Sequence, residues 1–151
     1  MLKTKYQTFF IETIKDKLKV LEDRKTGSKS KYIISNKFKK EINIFQIDHK
    51  VNIPNLVLCD WGFSVLSDKK FYFIELKGSN VSHALTQILS SLNHFKSAFK
   101  KNDTINARIV CSRSPNPKTY KAKELKLKRR LMEYNKGNLI IKSGNQMHEE
   151  I

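Results

Sequence analysis

A glutamate and a lysine two positions apart, Glu75 and Lys77, close the apolar run FYFIELK, one step before Gly78. Side chains alternate faces along a strand. Phe71, Phe73, Glu75 and Lys77 therefore share one face, and Tyr72, Ile74 and Leu76 share the other. Asp60 lies fifteen positions before Glu75, between Cys59 and Trp61 in a second β-rich run. Charged groups at the end of an apolar strand are costly to bury unpaired. A divalent cation relieves that cost. Mg²⁺ takes carboxylate oxygens and a backbone carbonyl while keeping several waters. Such an ion polarises a phosphate and acidifies water, and a lysine beside it orients that water or offsets developing charge.

The tripeptide alone carries little, because Glu-Leu-Lys recurs at Glu124-Leu125-Lys126, on a segment that reads as a solvated helix face. Context separates the first copy. Runs 56–66 and 71–77 flank Ser67-Asp68-Lys69-Lys70, which predicts an antiparallel hairpin. Gly78, Ser79 and Asn80 break the strand and offer caps to a helix over 81–100. Upstream, Phe10, Ile14, Leu18 and Leu21 predict an amphipathic helix over 5–22, and 41–48 reads as a strand. Residues 23–40 read as a basic connection with a short strand at 32–34. Downstream come a buried strand at 106–112, a basic helix at 118–134, a short strand at 138–142 and a frayed tail, 143–151. The expectation is one domain over 1–151 of α/β class, a mixed sheet flanked by helices in the order α-β-β-β-α-β-α-β. Strands 71–77 and 106–112 should be parallel neighbours through a right-handed crossover.

Asp60, followed by Glu75-Leu76-Lys77 at a strand end within this order, resembles the signature of the PD-(D/E)XK nuclease superfamily, whose core is restriction-endonuclease-like. The segments CDWGFSV and FYFIELKGSN also resemble a group of small nuclease-like proteins with a CDY/CDW and IELKG pattern. Cys59 stands where the superfamily name has proline. The resemblance spans roughly residues 5–112 and rests on three residues. It implies that Asp60 and Glu75 are metal ligands with the Leu76 carbonyl, and that Lys77 is the catalytic lysine. The implied cofactor is Mg²⁺, with Mn²⁺ able to substitute. The implied activity is a deoxyribonuclease that hydrolyses phosphodiesters by metal-activated water, an endonuclease of restriction, repair or junction-resolving type. Glu12 on the first helix and Gln87 after the Glu-Leu-Lys strand are further catalytic candidates. For Glu12, solvated pairing with Lys15 is equally consistent, and for Gln87 a polar surface stripe with His83, Ser90 and His94. The alternative is a catalytically idle nucleic-acid-binding protein that retains the fold.

The 151 residues hold 30 Lys+Arg against 14 Asp+Glu, a net charge of +16. Such an excess favours a polyanion, because each cation that meets a phosphate releases counterions. Lysine-rich compositional drift raises Lys without requiring so large an imbalance. DNA, duplex or branched, is the expected partner, not a small molecule. One basic cluster spans Arg24–Lys40, with Lys25, Lys29, Lys31, Lys37 and Lys39; the other spans Arg113–Arg130, with Lys118, Lys121 and Lys128. Ser79 and Asn80 offer hydrogen bonds to a phosphate near a helix N-terminus. Tyr32, Phe38 and Tyr120 are candidates to stack on unpaired bases. The chain has no apolar stretch long enough for a membrane span, and its N-terminus does not read as a signal peptide. Cys59 and Cys111 sit in apolar runs without metal-ligand spacing. The expected setting is the reducing cytoplasm, and a homodimer is expected if both strands of a duplex are cut.

Overall fold

The computed structural model describes residues 7–23, 29–48, 54–77, 79–113 and 116–151. Six strands form the larger sheet: β1 (Phe10–Ile14), β4 (Ile42–Gln46), β5 (Trp61–Val65), β6 (Lys70–Lys77), β7 (Thr104–Cys111) and β8 (Leu139–Ser143), in the order β1-β4-β5-β6-β7-β8. β1, β4, β5 and β6 are antiparallel in turn, whereas β6, β7 and β8 run parallel. The parallel pairs follow from the crossovers between them, α1 (Val81–Phe95) and α2 (Lys121–Met132). A smaller sheet, β2-β3-β9, is built from Leu18–Glu22, Lys31–Ser35 and Gln146–Glu150. The class is α/β, with a mixed sheet flanked by helices.

Two cores explain the layering. One face of the larger sheet, with Phe45, Phe71, Phe73, Ile105, Ala107 and Ile109, packs against the buried stripe of α1 and against Leu127 and Leu131 of α2. The other face, with Ile42, Ile44, Phe63, Tyr72 and Ile74, packs against Leu21, Tyr32, Ile34 and Met147 of the smaller sheet. Phe63 and Tyr72 stack there as a cross-strand pair, ring centroids 4.4 Å apart.

Where a helix is expected over 5–22, the described residues from Gln7 onward form a short 3-10 turn, β1 and β2. Residues four apart share a face in a helix and in a strand alike, so Phe10, Ile14 and Leu18 do not distinguish the two periods. β-Branched Ile11, Thr13 and Ile14 favour the strand. The Lys15–Lys17 turn then carries the chain from one sheet to the other, so that Ile14 and Leu21 meet in the same core.

The tail expected to fray is β9, parallel to β3 from Lys31↔Gln146 to Ser35↔Glu150. Its inward acid is the reason it reads as polar. Glu149 accepts from Arg108 Nε at 2.5 Å and from the Tyr32 hydroxyl at 2.8 Å. Arg108, 3% exposed on β7, also donates to the Asn138 side chain at 2.7 Å and lies over the Tyr72 ring. Burial and then Glu149 push the Tyr32 hydroxyl strongly upward, keeping it a neutral donor. Gly144 and Asn145, both at positive φ, make the turn from β8 to β9. Gly137 is fixed for another reason: a Cβ there would lie 1.7 Å from the Ile105 carbonyl oxygen.

Candidate functional site

β5 and β6 pair regularly from Val65↔Lys70 to Trp61↔Ile74, and there the backbone ladder stops. Beyond it the side chains take over. The Leu76 N–H donates to Asp60 Oδ2 at 2.9 Å, and the Asp60 N–H donates to Glu75 Oε2 at 3.0 Å. Each carboxylate thus holds a backbone N–H of the opposite strand, and the pair is crossed. Within a strand the N–H and C=O of one residue project to the same edge, so the Leu76 carbonyl faces the Asp60 side of β6. Lys77 Nζ lies 3.5 Å from Glu75 Oε1; the Glu75 side chain is fully buried, and that of Lys77 is 18% exposed.

α1 sets the position of Asp60. Ser91 Oγ accepts from the Cys59 N–H at 2.8 Å, and Gln87 Nε2 donates to the Leu58 carbonyl at 3.2 Å. The Asp60 carbonyl in turn accepts from the Ile47 N–H at 3.0 Å. Gln87 is 4% exposed, so it belongs to the buried face of α1 and not to a polar surface stripe. Its Oε1 is buried without a hydrogen-bond partner among the described residues. Gln87 and Ser91, one helical turn apart on an apolar stripe, were the legible sign that α1 grips the Asp60 segment; Ser91 was missed. Cys59 is fully buried, and burial followed by the Glu75 charge pushes its thiol well up, so it is a packing residue.

The expected peripheral residues divide. Asn80 caps α1, its side chain accepting from the His83 N–H at 2.9 Å, and Ser79 beside it is exposed. Ser30 Oγ donates to the Lys77 carbonyl at 3.2 Å, which brings exposed Lys29 and Lys31 to the carboxylate end of β6. Lys31 also pairs with Glu22 at 3.6 Å. Arg113 follows Cys111, the register partner of Lys77, and Lys118 and Lys121 stand exposed ahead of and at the start of α2. Lys128 is farther along α2 and pairs with Glu124 at 2.9 Å. Glu12 does not join the site. It lies on β1, three strand spacings or about 14 Å from β6, and pairs with Lys19. Lys37 and Lys39 lie at the opposite end of the strands, beyond Ser35. Lys25 falls outside the described residues. Of the three aromatic candidates, Tyr32 and Tyr120 are buried and Phe38 is 72% exposed.

On the helix side of the same end, Cys111, Asn116, Tyr120, Glu124, Ile141 and Ser143 line an open cleft of about 470 Å³. Cys111 is one strand over from Lys77 in register, so the cleft opens about 5 Å from it. Crevices outside the carboxyl ends of parallel strands are where open α/β sheets bind ligands.

Two carboxylates and a carbonyl at one strand end suit a hard, oxygen-seeking cation such as Mg²⁺, which keeps its remaining waters. Among the described residues no group of three or more His, Cys, Asp or Glu side chains is placed to hold a metal, so a zinc-type cage is not built there. Among the described residues, too, no helix is long and apolar enough to cross a membrane. No protein-family model, curated protein or solved structure matches this chain, and the reading of its function rests on the side chains themselves.

Proposed function

We propose that the protein is a Mg²⁺-dependent nuclease of PD-(D/E)XK type acting on DNA, with Asp60, Glu75 and the Leu76 carbonyl as cation donors and Lys77 as the catalytic lysine. The observation that carries this reading is the crossed carboxylate pair. Across the end of the β5–β6 ladder Glu75 accepts from the Asp60 N–H and Asp60 accepts from the Leu76 N–H, with Lys77 beside Glu75. A cation held there would polarise the scissile phosphate and lower the pKa of adjacent water. Lys77, the more exposed of the two charged side chains, steadies charge as it develops on the phosphate. Gln87 and Ser91 act through the segment they hold and are positioning residues. The order β4-β5-β6-α1-β7 supports a restriction-endonuclease-like core in which β1 and β2, one in each sheet, stand in place of the first helix. Lys29, Lys31, Arg113, Lys118 and Lys121 would meet flanking phosphates.

Cleavage of plasmid and of duplex, single-stranded and branched oligonucleotides with Mg²⁺ or Mn²⁺ tests the reading, with wild type beside Glu75→Ala and Lys77→Ala. The expected loss is on the order of 10²-fold or more for each variant. Equal cleavage by all three proteins would sink the site. One observation favours a second reading, an idle DNA-binding module: Glu75 is fully buried and already engaged by the Asp60 N–H and Lys77. Metal-independent DNA binding with no cleavage of any of these substrates would establish it.

A further inference from the structure

A row of register partners, Ile14↔Ile42↔Val65↔Lys70↔Thr104, crosses β1, β4, β5, β6 and β7 at the sheet end away from Asp60 and Glu75. Four connections leave from this row, and each carries two exposed lysines. Lys15 and Lys17 lie in the β1–β2 turn, and Lys37 and Lys39 between β3 and β4. Lys69 and Lys70 lie at the β5–β6 turn, and Lys100 and Lys101 precede β7. Hydrogen bonds knit the row together: Asn36 N–H to the Lys17 carbonyl at 2.8 Å, and Thr104 N–H to the Lys69 carbonyl at 2.9 Å. The acids of these connections do not cancel the charge. Asp68 is engaged by Lys40 at 2.8 Å, and Asp103 is buried and accepts from the Lys100 N–H. Only Asp16 and Glu41 are exposed among the described acids there.

Five strands at about 4.8 Å spacing make this front about 19 Å wide. Like charges at such spacing lie within about two Debye lengths of one another and repel. Phe38, in the connection between β3 and β4, is 72% exposed, with Lys37 Nζ 5.8 Å from its ring centre. An aromatic face among cations is the pattern that holds unpaired bases, the ring stacking on the base while lysines track the phosphates.

We propose that this end of the sheet is a second nucleic-acid-binding face, which takes a single-stranded segment with Phe38 as its stacking platform. It lies the length of β6 from Lys77, about 23 Å, and does not depend on the Asp60–Glu75 reading. Substrate would therefore be held at two poles of the molecule. An anionic membrane is the competing surface for so basic a front, but the front carries no amphipathic helix.

The test is anisotropy of a fluorescein-labelled oligo-dT and a matched duplex, titrated in EDTA over a range of KCl so that cleavage plays no part. The variants are Phe38→Ala and the quadruple Lys37→Gln/Lys39→Gln/Lys100→Gln/Lys101→Gln; the control is Lys29→Gln/Lys31→Gln/Arg113→Gln at the other pole. The quadruple variant should lower the single-strand salt slope by about 3, at roughly 0.7 per phosphate contact. Phe38→Ala should weaken oligo-dT binding roughly 5- to 150-fold, leave the salt slope unchanged and spare the duplex. An unchanged slope in the quadruple variant overturns the proposal. So does equal loss of single-strand and duplex binding in Phe38→Ala. Loss of binding to phosphatidylserine vesicles with oligo-dT binding intact would make the face a membrane site instead. Because all arms run without metal, a protein that cleaves nothing can still confirm this face, and an active nuclease can still fail it.

Discussion

Glu75→Gln separates a metal-binding carboxylate from a structural ion pair. Gln is nearly isosteric and keeps an oxygen to accept from the Asp60 N–H, so the 3.0 Å bond survives. The attraction lost is that to Lys77 at 3.5 Å, about 5 kcal/mol at an effective dielectric of 20. Against it stands the cost of keeping a fully buried carboxylate away from water, still several kcal/mol per ion. Lys77, being partly exposed, can turn to solvent once the charge is gone. The two large terms nearly cancel, and the expected result without metal is a change between zero and about 2 kcal/mol of stabilisation. At roughly 2–4 °C per kcal/mol for a chain of this size, Tm rises by at most about 8 °C. Glu75→Ala instead leaves the Asp60 N–H unsatisfied and a cavity behind, costing about 3 kcal/mol. Mg²⁺ at about ten times its Kd should add about 1.4 kcal/mol to the wild type and nothing to Glu75→Gln. Thermal melts of the three proteins with and without Mg²⁺ measure all of this. If Glu75→Gln costs as much as Glu75→Ala and the wild type gains nothing from Mg²⁺, the carboxylate is structural and the reasoning fails.

Glu149→Ala should remove about 3–5 kcal/mol, read as a Tm fall of about 10 °C, because it strands the buried Arg108 guanidinium. The double variant Arg108→Met/Glu149→Leu should recover most of that loss. Gly137→Ala should cost more than about 4 kcal/mol in denaturant melts, since its Cβ collides with the Ile105 carbonyl. The hydrogen bond from Lys40 holds the Asp68 carboxyl below its usual range. Its contribution is therefore present above the unfolded pKa of about 3.9 and lost as pH falls through the folded value. Asp68→Asn should accordingly weaken the protein modestly at neutral pH and converge with the wild type in acid, as equilibrium unfolding against pH would show.

Segments whose apolar pattern fits only one period were legible. The β5–β6 hairpin, the α1 crossover, and the faces of Glu75 and Ile74 could be placed from alternation and turn residues. β1 and β2 could not, because apolar residues four apart satisfy both periods, and the bend at Lys15–Lys17 adds to the β-branched residues of β1 in deciding between them. β9 was hidden for a different reason. Its inward position 149 is an acid whose partner, Arg108, lies 41 residues away, so local sequence shows a polar tail where tertiary contact makes a strand. Proximity of Asp60 to Glu75 was legible from the hairpin. The crossing of their hydrogen bonds, the hold of Ser91 on Cys59 and the lysine front at the far pole depend on strand order across the sheet.

The layering limits how a polymer can reach Lys77. The smaller sheet covers the face of β5 and β6 that carries Trp61, Ile74 and Leu76, and Ser30 closes it against the Lys77 carbonyl. α1 covers the opposite face up to its Asn80 cap. What stays open is the strand end itself, toward Arg113 and the cleft beside Cys111, Tyr120 and Ser143. If nucleic acid enters there, filling the cleft should block it without unfolding the protein. Ser143→Trp is suited to this, because Ser143 is exposed at the last position of β8 and lines the cleft. The expected outcome is a Tm within about 3 °C of wild type, since surface changes usually stay within about 0.5 kcal/mol. Cleavage, or duplex binding if the protein is idle, should fall at least tenfold. His148→Trp, on the outer side of the smaller sheet, should leave both unchanged. Equal behaviour of the two variants would show that the substrate does not pass the cleft.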